Sequence, residues 1–387
     1  MARVAAKAVP VPMFSGLVHD PVQKTLTFEI SDIDLSYVSG LRRALLTDIP
    51  TVAVKFKPQD PSNPDVNFIV NTSSLHNEIL GHRLSMVPVC TPDVDTYQRD
   101  DYRFVINKQN KEQEPVLVTT DDIRVYLSDG SLAPPAVHQQ LFPRDPITGD
   151  PILLTKLKPN IYTKENGEAL HVEFWASTGT AQENALWSPV SLATFSFTVD
   201  EDAAIAALAS HLQDYKAANP DATAEEMREV GADFNALQRG RYYVKDALGN
   251  PSRFKFSMES TSGLSCTELV RRAWSVLRSH LQKILAAMPA RVKVERQPNA
   301  VHLVFIEGAK HTHGSILQGY LHRHAGRLGV QFAGYHVPHP LEERVILKLV
   351  MREAEEEWSP EEALKGALEG ACEELDDLRR AWEDTVK

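Results

Sequence analysis

Histidine is the side chain best placed to do chemistry near neutral pH, and six of the fourteen histidines fall in one stretch: His311, His313, His322, His324, His336 and His339. Neutral imidazole is the commonest nitrogen ligand for metals, so the run invites a metal-site reading. Its spacing argues against one. Residues two apart on a helix, as His322 and His324 are, point to different sides, and no acid occupies the Glu position of a His-Glu-x-x-His protease pattern. His339, between Pro338 and Pro340, reads better as a fixed turn that carries the aromatic pair Phe332 and Tyr335 into an interface. Nor is there a nucleophile elbow, a phosphate-cradling glycine loop or a triple-aspartate signature for nucleotidyl transfer. No residue is therefore assigned as catalytic, and neither a metal nor another cofactor is expected. What remains is recognition chemistry. Arg42 and Arg43 sit beside an apolar stripe, where a planar guanidinium can bind carboxylate or backbone oxygens in pairs.

These residues need elements to hold them. Residues 26–30 alternate apolar and polar side chains as a strand does, and Tyr37, Val38, Leu41 and Leu45 then recur at helical spacing. That helix must end before Pro50, and Gly40 is a weak point inside it. Residues 51–56 read as a further strand. From 57 to 186 the chain is rich in Pro, Asp, Asn and Thr with short apolar runs at 104–106, 116–118, 123–127 and 170–174, the pattern of a β-rich insert. Strand alternation resumes at 192–199 and 253–259, around a polar, Ala-rich stretch at 202–241 that reads as one or two loosely held helices.

A long helix follows, with Leu269, Ala273, Val276, Ile284 and Met288 on one stripe, stopping at Pro289. The logic then repeats: a hairpin-like pair at 292–295 and 301–306 around Pro298 and Asn299, a short helix marked by Ile316, Leu317, Tyr320 and Leu321, and a strand at 345–350. Ser359, Pro360 and Glu362 spell an N-cap and capping box for a last helix. Along it Leu364, Leu368, Ala371, Leu375, Leu378 and Trp382 alternate steps of four and three, the seam of a helix packed lengthwise on another.

Composition bounds the class. The chain has 387 residues, 43% hydrophobic and 24% charged, enough for two or three compact units. It contains no apolar run long enough for a membrane span and no signal-peptide pattern. Cys90, Cys266 and Cys372 are too few and too scattered for a disulfide framework and fit a reducing compartment. A net charge of -11 argues against wrapping duplex DNA, which needs a positive surface, although residues 291–352 carry roughly twice as many Lys and Arg as acids.

The segment Val38-Ser39-Gly40-Leu41-Arg42-Arg43-Ala44-Leu45-Leu46, with Ile49-Pro50-Thr51-Val52-Ala53, resembles the opening helix and turn of the third-largest subunit of RNA polymerase II, the archaeal D subunit and the bacterial alpha subunit. The likeness continues through Asn71-Thr72-Ser73-Ser74-Leu75, residues 78–84 and 87–89, Gly179-Thr180-Ala181-Gln182, Trp187-Ser188-Pro189 and Met258-Glu259-Ser260. A second signature, His311-Thr312-His313-Gly314-Ser315, residues 330–335 and Val337-Pro338-His339-Pro340-Leu341, is similar to the eleventh subunit, called L in archaea. Fused versions of the two resemble those of some large nucleocytoplasmic DNA viruses.

The resemblance implies an α+β fold: two alpha-like dimerisation modules in one chain, an intramolecular pseudo-heterodimer, plus the β-rich insert. The first module takes 14–56 and 187–288, the insert 57–186 and the second module 289–387. Its internal interface would use Leu41, Leu45, Leu269, Ala273 and Val276 against Ile316, Leu317, Phe332, Tyr335, Leu368, Leu375 and Trp382. Arg42, Arg43, His82 and Arg83 would dock large catalytic subunits. The implied function is a non-catalytic platform on which the two largest polymerase subunits assemble, with small subunits similar to the tenth and twelfth. DNA and RNA would be met only through that complex, and no membrane is involved. Its place would be intracellular, in a virion or host cytoplasm, with the nucleus also open. Many third-subunit relatives hold zinc with four clustered cysteines; only Cys90 lies near that segment, so no zinc is expected. Ser39, His313 and Ser315 depart from the usual Asn, Leu and Asn. The competing class is a stand-alone transcription regulator or nucleic-acid-binding protein on the same fold, which needs a basic groove with stacking aromatics; 7% aromatics weigh against it. Because each half would leave an apolar helix face bare, either half expressed alone is expected to be unstable or to aggregate, read out as insoluble or oligomeric material beside a well-behaved full chain.

Overall fold

The computed structural model describes residues 13–58, 65–91, 93–160, 166–298, 300–352 and 359–386. β1 (Met13–Asp20) and β2 (Thr25–Ser31) form a hairpin. Asp34 then caps α1 (Leu35–Thr47), its carboxylate accepting the Ser36 N–H at 2.8 Å, which satisfies a donor that the first helical turn leaves open. β3 (Thr51–Ala53) leads away from this hairpin.

The insert follows as β4 (Val66–Asn71), α2 (Asn77–Ser85), β5 (Tyr102–Gln109), β6 (Val116–Thr119), β7 (Arg124–Leu127), α3 (Pro135–Leu141), β8 (Leu153–Leu157) and β9 (Ala169–Phe174). Its main sheet is antiparallel, in the order β4-β9-β5-β7, beside a β6–β8 ribbon. β10 (Ser177–Gly179) returns to pair with β3.

β11 (Val190–Phe197) and β12 (Arg253–Ser260) complete a four-stranded antiparallel sheet in the order β1-β2-β12-β11. Between them α4 (Glu201–Ala218) and α5 (Ala224–Leu237) lie on the surface, burying little beyond Ala204 and Phe234. One face of the sheet, with Leu26, Phe28, Ile30, Phe254, Phe256 and Met258, is fully buried. α6 (Cys266–Ala286) covers it, and the short turn α7 (Met288–Arg291) opens the second half.

That half runs β13 (Val292–Gln297), β14 (Val301–Glu307), α8 (His311–Arg323), β15 (Val330–His336), β16 (Arg344–Met351) and α9 (Pro360–Val386). Its sheet order is β13-β14-β16-β15, all antiparallel. Pro298 stands in the β13–β14 turn; Asn299 lies outside the described residues. The start of α9 follows its capping pattern, with Ser359 N–H donating to Glu362 Oε2 at 2.9 Å and Glu362 N–H to Ser359 Oγ at 3.1 Å.

Four points of the sequence reading need correction. β15 was not anticipated, because a bulge between Val330 and Phe332 breaks its alternation. The same bulge turns Val330 and Ala333 inward and leaves Phe332 48% exposed, so Phe332 is outside any internal interface. Tyr335 packs on α8 of its own half, over Gly314, where an added Cβ would come within 2.5 Å of its ring. On α6 the buried stripe runs through Leu269, Val270, Ala273, Trp274, Leu277, Leu281 and Ile284, leaving Val276 on its flank, only half-buried.

The halves meet through helices. α6 packs along α9, and α1 packs on both α6 and α8. Trp382 Nε1 on α9 donates to Thr267 O at 3.0 Å, while Arg278 Nε reaches Asp376 Oδ2 at 2.6 Å, so the two long helices are antiparallel. Trp382, 1% exposed, also sits 5.2 Å from the Phe14 ring and 4.8 Å from Phe28, on the first sheet. Removing it would leave a cavity facing both halves. We expect Trp382→Ala to lower unfolding free energy by about 3–5 kcal/mol, measured by chemical denaturation.

Candidate functional site

α1 presents two faces. Tyr37, Val38, Leu41, Ala44 and Leu45 are buried. Arg42 is half-buried and Arg43 exposed, and among the described residues neither guanidinium makes an ion pair or side-chain hydrogen bond. Two unpaired arginines on a helix whose other face is locked in the core form a fixed cationic edge, since the backbone that carries them cannot shift without disturbing the packing.

α2 offers a second edge. Ile79, His82, Arg83 and Met86 recur at steps of three, one and three along α2 and its C-cap, and all four are exposed, Met86 by 82%. Inward, Gly81 lets the helix close on Phe56, whose ring would lie 2.5 Å from an added Cβ. Arg83 Nη2 donates to Leu153 O at 2.6 Å, and His82 stands edge-on to Phe56 at 5.6 Å. Arg83 is thereby tethered to the insert's own strand. The apolar ends of this row, Ile79 and Met86, escaped the sequence reading; the helical spacing of four solvent-facing residues with two large apolar members was the available signal.

The other proposed interface residues lie at the helix crossing. Leu41, Leu45, Leu269, Ala273, Ile316, Leu317, Leu368 and Leu375 are each 0% exposed. Gly40 faces Ile316 Cδ1 and Leu277 Cδ1, both 3.4 Å from where its Cβ would stand. α1 therefore touches both α6 and α8 at one point.

Beside that crossing is a polar junction. Gln182 Nε2 donates to Asp48 Oδ1 at 2.6 Å, Lys310 Nζ bridges Gln182 Oε1 at 3.1 Å and Glu343 Oε1 at 3.0 Å, and the His280 and His313 rings lie 5.6 Å apart. His313 is 9% exposed and accepts the Lys310 backbone N–H at its Nδ1, 2.9 Å away, a bond that the neutral ring alone can make. Burial, then the neighbouring His280, push its pKa from 6.5 down to about 4.

The remaining histidines do not converge. His311, His322, His336 and His339 are exposed, and His324 binds Glu374 Oε1 at 3.1 Å. Among the described residues no three His, Cys, Asp or Glu side chains group as metal ligands would. The zinc that the resemblance brings with it does not fit: Cys90 is buried, its backbone N–H bonded to Leu141 O at 2.9 Å and its Cα packed against Gly263. Among the described residues no helix is long and apolar enough to cross a membrane.

Two tandem stretches match family models for the RNA polymerase Rpb3/Rpb11 dimerisation domain: residues 27–281, well over half the chain, and residues 303–381. The chain belongs to the RNA polymerase Rpb3/Rpb11 dimerisation-domain family. Among similar proteins, the DNA-directed RNA polymerase subunit Rpo3 of Thermococcus kodakarensis is 28% identical over 171 residues, 43% of this chain and 52% of its own length. The Rpo3 of Methanobrevibacter smithii is 25% identical over 194 residues, 46% of this chain and 58% of its own. Subunit 3 of RNA polymerases II, IV and V of Arabidopsis thaliana is 22% identical over 291 residues, 66% of this chain and 86% of its own. The chain thus spans about half the length of the archaeal relatives it matches.

His313 supplies a pH dependence. Its folded pKa lies below its ordinary value, so the unfolded chain takes up a proton first; the group's contribution is complete above about 6.5 and is lost as pH falls toward 4. Between pH 7 and pH 5 this amounts to about 2 kcal/mol. His313→Gln should lose correspondingly less over that interval in denaturation at the two pH values; an equal loss in both proteins assigns the dependence to other groups.

Proposed function

We propose that the chain is a non-catalytic assembly-platform subunit of a multisubunit DNA-directed RNA polymerase, with its two family-matched stretches paired as an intramolecular heterodimer. The observation that carries this is the tandem match, at 27–281 and 303–381, in a chain whose core runs unbroken from one stretch to the other. Relatives named as third polymerase subunits support the same reading. The units would be 14–56 with 187–288, the insert 57–186 and the second module 289–387. Fusion replaces a bimolecular encounter by an effective concentration that reaches millimolar for a short linker, and it parallels the fused subunits of some large DNA viruses. An intracellular site, in a virion or host cytoplasm, follows from that parallel.

On this reading the two largest subunits dock on the recognition edges. The free Arg42 and Arg43 suit carboxylate or carbonyl oxygens, and the Ile79, His82, Arg83 and Met86 row adds exposed apolar area. Small subunits similar to the tenth and twelfth of polymerase II complete the assembly. Templated RNA synthesis, with its magnesium ions, belongs to the large partners, and DNA and RNA are reached through them.

The test is affinity purification of the tagged chain from its native source with mass spectrometry, Arg43→Ala beside wild type. Recovery of two very large polymerase subunits with wild type, and their depletion by tenfold or more with a folded Arg43→Ala protein, is the expected result; a tenfold loss corresponds to about 1.4 kcal/mol. Unchanged recovery with Arg43→Ala moves the contact elsewhere. A wild-type sample free of polymerase subunits overturns the platform and leaves the stand-alone regulator in its place.

A further inference from the structure

A polar relay crosses the junction between the halves. Glu374 on α9 is 21% exposed at its side chain and accepts three donors: Tyr37 Oη of α1 at 2.6 Å, Arg323 Nη2 of α8 at 2.5 Å and His324 Nε2 at 3.1 Å. Arg323 spreads its guanidinium over the Tyr37 ring, 5.4 Å from the centroid, and its Nη1 lies 3.0 Å from Asp34 Oδ2, close enough for attraction but off the line of a hydrogen bond. Asp34 is the N-cap of α1. The relay therefore ties the start of α1, in the first half, to α8 and α9 in the second.

Its chemistry is divided unequally. The first half supplies a carboxylate and a phenol, Asp34 and Tyr37; the second supplies the cation, the histidine and the accepting carboxylate. A second ionic contact at the crossing is also one-sided, with Arg278 of α6 on Asp376 of α9. Apart from the Trp382 Nε1 bond to Thr267 O and the polar junction beside the crossing, the rest of the seam is apolar and says little about which face meets which. Leu, Ala and Ile stripes would pair acceptably with a second copy of themselves, as two copies of one half.

We infer that the Asp34–Tyr37–Arg323–Glu374 relay is a pairing lock: it makes the first half accept the second half and reject another first half. This rests on the paired-module reading above. In a like-with-like pair that kept the antiparallel crossings, the Asp34–Tyr37 end would face the C-terminal end of the other copy's α1, where no Arg323–Glu374 pair stands, and Arg278 would lose its Asp376 partner. Polar groups buried in an apolar seam commonly act in this way, trading stability for a single register.

The lock makes a prediction that a merely stabilising contact does not. Glu374→Ala alone takes from Arg323 its hydrogen-bonded carboxylate and leaves only the Asp34 contact, and should lower the melting temperature. The triple replacement Tyr37→Phe, Arg323→Met and Glu374→Leu removes the relay as a unit, while Asp34 keeps its capping bond to Ser36; it should melt no lower than wild type. Light- and heavy-nitrogen full-length chains are unfolded, mixed, refolded at high concentration and cross-linked through lysine. Lys283 on α6 and Lys365 on α9 are both exposed and report the pairing. Wild type should give Lys283–Lys365 links and no Lys283–Lys283 links between light and heavy chains; the folded triple variant should give both. If the triple variant gives only the wild-type links, or if it fails to fold, the relay is not a specificity lock. Absence of Lys283–Lys365 links in wild type overturns the paired-module reading itself, and the lock with it.

Discussion

The fold depends on the crossing of α6 with α9, because each of these helices carries more apolar surface than its own sheet can cover. α6 buries eight residues and α9 ten. A four-stranded sheet offers one face to the core, and a helix laid on it leaves its far side open. At roughly 1.5–3 kcal/mol for each large aliphatic side chain removed from water, leaving Leu368, Leu375 and Leu378 bare would be comparable with the whole net stability of an ordinary domain. Antiparallel contact between the two helices removes that exposure from both at once. α1 and α8 meet beside that contact, α1 packing on α6 and α8, and α8 on α9.

Everything directed outward follows from what this crossing immobilises. α1 cannot rotate without breaking the contacts of Leu41, Leu45 and Gly40, so Arg42 and Arg43 are presented in a fixed attitude. The β3–β10 ribbon anchors the insert to the end of α1, and Gln182, just beyond β10, binds Asp48 at the α1 C-cap. By contrast α4 and α5, which bury little beyond Ala204 and Phe234, take no part in that rigid frame.

Elements whose local chemistry and periodicity agree were legible in the sequence. α9 is the clearest: Ser359, Pro360 and Glu362 fix its start, and its steps of four and three mark residues that are all buried. α6 was legible as a helix but not in its facing. It packs on a sheet and on a helix together, so its buried stripe is wide, and picking Val276 rather than Leu277 followed from assuming a narrow one. β15 was invisible because a bulge changes which residues face inward, and single-sequence alternation has no term for an extra residue. The proposed docking residues are the hardest case. An exposed arginine obeys no periodicity, so Arg42, Arg43, His82 and Arg83 could be singled out only by family likeness, while the flanking Ile79 and Met86 gain meaning only once their exposure is known.

Gly40 shows how a local rule fails where a global contact decides. In mid-helix, glycine is about 1 kcal/mol worse than alanine, and by sequence it is a flaw in α1. In the fold it stands where α1 meets α6 and α8 together, with Leu277, Ile316 and Thr312 atoms at 3.4–3.5 Å from an added Cβ. That spacing is ordinary contact, so alanine would fit and would recover propensity, whereas valine or leucine would have to displace side chains from both halves. The position is therefore constrained by size and not by backbone conformation. The same distinction separates it from Gly370, where an added Cβ would fall within bonding distance of the Tyr320 hydroxyl. That hydroxyl accepts from Arg327 Nη2 at 2.6 Å, so any side chain at 370 must break a buried hydrogen bond as well as find room. One glycine lets two helices approach; the other lets a polar group remain satisfied while they do.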